Sequence, residues 1–215
     1  MLERFRSAMA TLLGPPARLL IRLGVRPDVV TLVGTAAVVV VAVVLIPLGL
    51  LWQAAVVLGV ISFADMLDGQ VARLSGRATA WGAFLDSSLD RIGDGAVFGA
   101  VAVWFALTGQ PLWCGISVAG LVLGQVTSYV KARAESHGWM VSGGLAARAD
   151  RLVLCYLGMF LEGLGVPYAL AVAMVVLALA SGATVVQRFV QVWRQAGAGH
   201  TEDDGTGHDG AGAER

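Results

Sequence analysis

Four aspartates sit inside apolar sequence at spacings that chemistry can use. Asp65 and Asp68 are three residues apart, and Asp86 and Asp90 are four apart. In helices each pair therefore shares one face. A carboxylate at membrane depth is costly unless it is paired, metal-bound or hydrated, so all four are candidates for function. Four such charges brought together repel strongly at low dielectric and are tolerable around cations or when some are protonated. All-oxygen ligands favour hard ions, Mg2+ or Mn2+ over Zn2+, and two divalent ions balance four carboxylates. Gly69, Ala72, Gly76 and Gly82 leave room for a polar head group or a neighbouring backbone, and Arg73 and Arg77 stand just below the acids, placed to hold phosphates.

The elements that must carry these residues follow from composition. Of 215 residues, 57% are hydrophobic and 14% charged, against about 25% charged in a soluble domain. No Lys or Arg lies between Arg26 and Arg73, between Arg91 and Lys131, or between Arg151 and Arg188, gaps long enough for membrane crossings. The chain reads as an all-α integral membrane protein with six transmembrane helices over 28–48, 52–75, 81–107, 111–134, 148–163 and 166–193. The positive residues fall before the first helix, between the second and third, between the fourth and fifth, and at the end of the sixth. The opposite turns have none. The positive-inside rule then puts both termini in the cytoplasm of a multi-pass protein of the cell membrane. The turn joining the second and third helices is short, so those two are expected as antiparallel neighbours with the four acids in one layer, roughly 8–15 Å from the inner ends.

The flanks differ in character. Residues 1–27 form a cytoplasmic or interfacial segment in which 2–24, broken at Gly14-Pro15-Pro16, suit an amphipathic helix on the membrane surface. This start is too interrupted for a cleaved signal peptide. Residues 28–195 form the six-helix domain, and 196–215 a disordered cytoplasmic tail whose His200 and His208 are solvated. Cys114 and Cys155 lie in apolar runs and read as small buried hydrophobes with no disulfide. Nothing in the charge pattern asks for nucleic acid, and membrane lipid is the expected surrounding.

The run from Asp65 to Asp90 resembles the signature D-x2-D-G-x2-A-R-x8-G-x3-D-x3-D of the CDP-alcohol phosphatidyltransferase family. Asp65, Asp68, Gly69, Ala72, Arg73, Gly82, Asp86 and Asp90 fill all eight fixed positions. The resemblance implies a magnesium-dependent transferase of phospholipid synthesis, a homodimer in its relatives. Asp65 and Asp86 would bridge two Mg2+ ions, with Mn2+ as a substitute. Asp68 would bind one ion. Asp90 would touch the other and act as the catalytic base on the acceptor alcohol, whose alkoxide attacks the β-phosphorus of CDP-diacylglycerol and expels CMP. Gly69, Arg73 and Thr79 match positions that contact the cytidine diphosphate, as do Asp28, Val29, Val30 and Thr31 just after Pro27. A helix N-cap explains Asp28 and Thr31 equally well, and the two roles are compatible.

The acceptor is read from a second basic group. Ser128, Lys131 and Arg133 close the fourth helix on the inner side, and Arg148 and Arg151 open the fifth. Such crowding suits an anionic, phosphorylated alcohol. Ser128-Tyr-x-Lys-Ala-Arg-Ala-Glu and the Arg-x-x-Arg pair resemble the actinobacterial subgroup that makes phosphatidylinositol phosphate from inositol 3-phosphate. There Ser128, Lys131 and Arg151 would hold the sugar phosphate, with Arg133, Arg148 and Arg188 nearby. The segment reads Ala147-Arg148-Ala149-Asp150-Arg151 where that subgroup has Glu-Arg-x-Glu-Arg. All these cations also suit positive-inside anchors for lipid head groups. Glycerol 3-phosphate, free inositol or serine are alternative acceptors. A divalent-cation transporter is the alternative of another class, disfavoured because the acids stay in one half of the membrane beside arginines. Arg91 and Asp94 read as an ion pair within the bundle, and Gly99, Gly120, Gly124 and Gly158 as packing contacts.

Overall fold

The computed structural model describes residues 27–75, 79–144 and 148–203, with side chains for 28–64, 79–144 and 148–197. The N-terminal interfacial helix expected over 2–24 lies outside the described residues. Six helices, and no strand among the described residues, make up the fold: α1 Pro27–Leu45, α2 Leu51–Ser75, α3 Ala80–Leu107, α4 Pro111–Glu135, α5 Arg148–Gly163 and α6 Ala169–Asp203. They match the six expected segments closely, with one difference. The last helix continues to Asp203, so residues 196–203 are helical and not part of a disordered tail. Ahead of those residues, Gln191 and Gln195 bond to the segment at Ser142 and Met140, which an apolarity pattern does not register.

Three helices are long and apolar enough to cross a membrane, over Asp28–Leu45, Pro111–Glu135 and Ala169–Gly197, and Leu51–Ala64 is a shorter apolar stretch. The span on α1 has a mean hydropathy of 2.5, yet only 11% of it is buried inside the protein. A helix that apolar and that uncovered belongs in lipid, since water would leave Val33, Val40 and Val43 exposed. Helix α3 is less apolar because Asp86, Asp90, Arg91 and Asp94 interrupt it.

The helices pack as a ring. Helix α1 lies on α2 and α3, α3 on α4, α4 on α6, α6 on α5, and α5 on α2. Buried Ala42, Leu58, Val101, Phe105, Met159 and Met174 fill the ring's apolar end. Glycines set the closest approaches. A Cβ on Gly158 would stand 2.7 Å from that of Ala173, and one on Gly163 would stand 2.4 Å from the Trp52 nitrogen. Gly120 faces Ala178, whereas Gly99 has nothing within 4 Å and is not a packing contact. Among the described residues, α2 and α3 each pack on α1, while the stretch of α2 that carries Asp65 and Asp68, expected to face the third helix, lies outside the described side chains.

Candidate active site

Helices α1, α2, α3 and α5 enclose a cavity of about 580 Å3. Gly34 and Thr35 line it from α1, Gly59 and Ser62 from α2, and Asp86 and Asp90 from α3. Helix α5 adds Arg148 and Tyr156, whose hydroxyl lies 3.1 Å from that of Ser62 and ties α5 to α2. Small residues on two walls leave the volume, and the acids and the arginine give it charge.

Helix α3 owes its start to Thr79, whose hydroxyl accepts the Gly82 N–H at 3.0 Å, an N-cap. Helix α1 begins at Pro27, so Asp28 lies in its first turn, where a carboxylate suits the helix dipole. The two starts meet over Gly82, where an added Cβ would lie 3.3 Å from the Thr79 hydroxyl and 3.5 Å from the Asp28 carboxylate. Thr31 is buried, Val29 exposed and Val30 half-buried on the same turns. Asp28 and Thr79, both read as nucleotide contacts, are thus brought together.

The ionic centre is denser than expected. Arg148, the first residue of α5, places Nη1 2.8 Å from Asp90 and donates from Nε to Asp94 at 3.1 Å. Arg151 donates from Nη2 to Asp94 at 3.3 Å and from Nη1 to the Gly124 carbonyl at 3.3 Å. Arg91 lies 3.6 Å from Asp90 and 4.0 Å from Asp94, and its Nη1 donates to the Ser128 hydroxyl. Three guanidinium groups therefore face two carboxylates. A cation in the first turn of α5 runs against the helix dipole, and Asp90 and Asp94 offset that cost.

The remaining basic residues take separate places. Lys131 pairs with Glu135 at 3.7 Å on the exposed end of α4, and Arg133 lies 3.5 Å from the Ser136 hydroxyl. Arg188 donates to the carbonyls of Thr127 at 2.6 Å and Gly143 at 3.3 Å, with its Nε buried and unbonded. Of the basic residues read as acceptor contacts, Arg148 lines the cavity and Arg151 is almost wholly buried beneath it. Asp65, Asp68, Gly69 and Arg73 lie on α2 outside the described side chains. Among the described residues no group of three metal-binding side chains is gathered.

Sequence reasoning treated Asp94 and Arg91 as a bland pair, yet they organise the site. The signal was present: a charge at membrane depth is a functional candidate, and both satisfy that rule. A second feature was not legible. The segment before α5 is zipped along α6. Gln195 exchanges hydrogen bonds with the N–H and carbonyl of Met140 at 2.9 and 2.8 Å, and Gln191 with those of Ser142 at 3.2 and 3.0 Å. This strap holds the chain against α6 as far as the described residues before α5 run.

The model of the family described as CDP-alcohol phosphatidyltransferase matches residues 25–193. The chain belongs to this family. As a CDP-alcohol phosphatidyltransferase it is a membrane enzyme, which leaves the cation-transporter alternative without support. It is similar to the phosphatidylinositol phosphate synthase of Cutibacterium acnes, 44% identical over 90% of this chain and 98% of that one. The synthase of Corynebacterium glutamicum is 45% identical over 86% of this chain and 85% of its own. The crystal structure of the Mycobacterium tuberculosis synthase with CDP-DAG bound superposes with a TM-score of 0.82 at 42% identity, covering 86% of this chain and 94% of that one. The same enzyme in complex with manganese and citrate gives 0.81 at 42% identity, over 84% and 88%.

Proposed function

We propose that the protein transfers the phosphatidyl group of CDP-diacylglycerol to inositol 3-phosphate, releasing CMP. The observation that carries this reading is the Asp90–Arg148 pair at 2.8 Å on the wall of one cavity. A carboxylate that accepts a proton stands beside a guanidinium that holds a phosphate, which is what a phosphorylated alcohol needs in order to react. Asp90 takes the proton of the acceptor hydroxyl, the oxygen bonds to the phosphatidyl phosphorus, and the bond to the bridging oxygen breaks as CMP leaves. The likeness to phosphatidylinositol phosphate synthases at 43–45% identity supports inositol 3-phosphate over other acceptors.

Two divalent ions, Mg2+ with Mn2+ as a substitute, belong to this reading. The donor set fits: Asp86 and Asp90 line one cavity with oxygen ligands, and α2 carries position 65 one turn beyond the cavity-lining Ser62. Asp65, Asp68, Asp86 and Asp90 would hold the ions, which supply charge neutralisation at the diphosphate. Asp28, Val29, Val30, Thr31, Gly69, Arg73 and Thr79 would seat the CDP group where α1 and α3 begin. Ser128, Lys131, Arg133, Arg148, Arg151 and Arg188 would form the anionic acceptor's side. The topology proposed is six crossings preceded by an interfacial helix, in the cell membrane, with both termini and the site facing the cytoplasm, in a homodimer. The domain would span 28–195.

The test is CMP release by purified protein given CDP-diacylglycerol and Mg2+ with inositol 3-phosphate, glycerol 3-phosphate, inositol or serine in turn. Release with inositol 3-phosphate is expected. Release with glycerol 3-phosphate alone would reject the acceptor while keeping the chemistry.

A further inference from the structure

We propose that Asp94 is a positioning residue that aims Arg148 into the cavity, an inference that rests on the cavity being the transfer site. Asp94 is outside the eight-position signature, and its side chain is only 4% exposed. An isolated buried carboxylate is costly, and so is the equally buried Arg151 guanidinium. Their contact at 3.3 Å compensates both. That pair is itself anchored, because Arg151 also reaches the Gly124 carbonyl at a place where an added Cβ would stand 3.3 Å from the guanidinium carbon.

The other oxygen of Asp94 does something the pair does not require. It accepts Nε of Arg148 at 3.1 Å. A guanidinium is planar, so an acceptor at Nε sets the plane and leaves Nη1 facing away from that edge. Nη1 of Arg148 accordingly reaches Asp90 at 2.8 Å, and the side chain keeps 34% exposure while Arg151 keeps 4%. One fork is closed into the protein and the other opens on the cavity. Without Asp94, Nε of Arg148 loses its acceptor at 3.1 Å, and the guanidinium plane is no longer set from that side. Asp94 thus holds the phosphate-binding fork beside the base before the acceptor arrives, which saves ordering it during binding.

The experiment measures KM for inositol 3-phosphate and for CDP-diacylglycerol in the wild type, Asp94→Asn and Arg148→Lys. Wild-type turnover comes first: none with this acceptor would overturn the site reading and this inference with it. Given turnover, Asp94→Asn should raise the acceptor KM about tenfold or more with the lipid KM within about twofold. Because Asp94→Asn strands the Arg151 charge and can unfold the protein, Arg148→Lys is the second variant. It keeps the Asp94–Arg151 pair and the positive charge but cannot span Asp94 and the cavity together, so the same rise of about tenfold in acceptor KM alone is expected. A wild-type acceptor KM in Arg148→Lys, or a parallel rise in both KM values in either variant, would overturn the proposal while leaving the transferase reading intact.

Discussion

A Cβ on Gly144 would stand 2.5 Å from the Thr184 Cγ2 methyl, so the strap before α5 lies directly on α6. Gly144 also holds a φ of 134°, a conformation that side-chain-bearing residues avoid. Contact and dihedral together fix the chain at Gly144. Gly144→Ala should cost about 1–3 kcal/mol, seen as a lowered melting temperature in detergent. Adding Thr184→Ser, which removes only the methyl, should recover part of the loss. No recovery would assign the whole cost to the dihedral.

The Gln191 and Gln195 amides hold the same strap by paired hydrogen bonds. Each net bond contributes about 0.5–1.5 kcal/mol. The double change Gln191→Ala and Gln195→Ala should therefore speed hydrogen exchange at residues 140–144, with the core of α1 and α2 unaffected. Unchanged exchange at Met140 and Ser142 would remove the strap from the account.

How much of this was legible in the sequence depends on what kind of force placed each part. The six helices were readable because apolar length and the positions of arginine report membrane crossing directly. The Asp86–Asp90 face was readable from helical spacing alone. The ring order was not, because no local pattern in α1 shows that it packs on both α2 and α3. The roles of Asp94 and Gln191 were hidden for a related reason. Both act through partners more than 40 residues away in the chain, Arg148 and Ser142, and no local pattern encodes such pairs. Arg151 illustrates the same limit: its letters do not show its two partners inside the protein, Asp94 and the Gly124 carbonyl.

The proposed role of Asp90 is to take the acceptor proton. Asp90→Asn keeps the side chain's size and removes its basicity, so turnover should fall by about 10²–10⁴-fold. Isothermal titration should still detect divalent-ion binding, weakened but present, since three carboxylates of the proposed set remain. Near-normal CMP release would exclude Asp90 as the base.

Removal of the metal should stop the reaction without unfolding the protein. Chelation by EDTA is expected to abolish CMP release, Mg2+ or Mn2+ to restore it, and Zn2+ to restore little, because an all-carboxylate site suits hard ions. The helical circular dichroism signal should stay constant throughout, as the ring is held by apolar packing. Full activity in EDTA would contradict a metal-dependent transfer.

The central claim is that α2 and α3, each packed on α1, present their acids to one cavity where divalent ions gather. Crystals grown with Mn2+ and CDP-diacylglycerol, measured at the manganese absorption edge, test it most directly. The account predicts two anomalous peaks among Asp65, Asp68, Asp86 and Asp90, against the diphosphate and within reach of Arg148. Peaks elsewhere, or Asp65 and Asp68 turned to the lipid with no manganese between the helices, would contradict it.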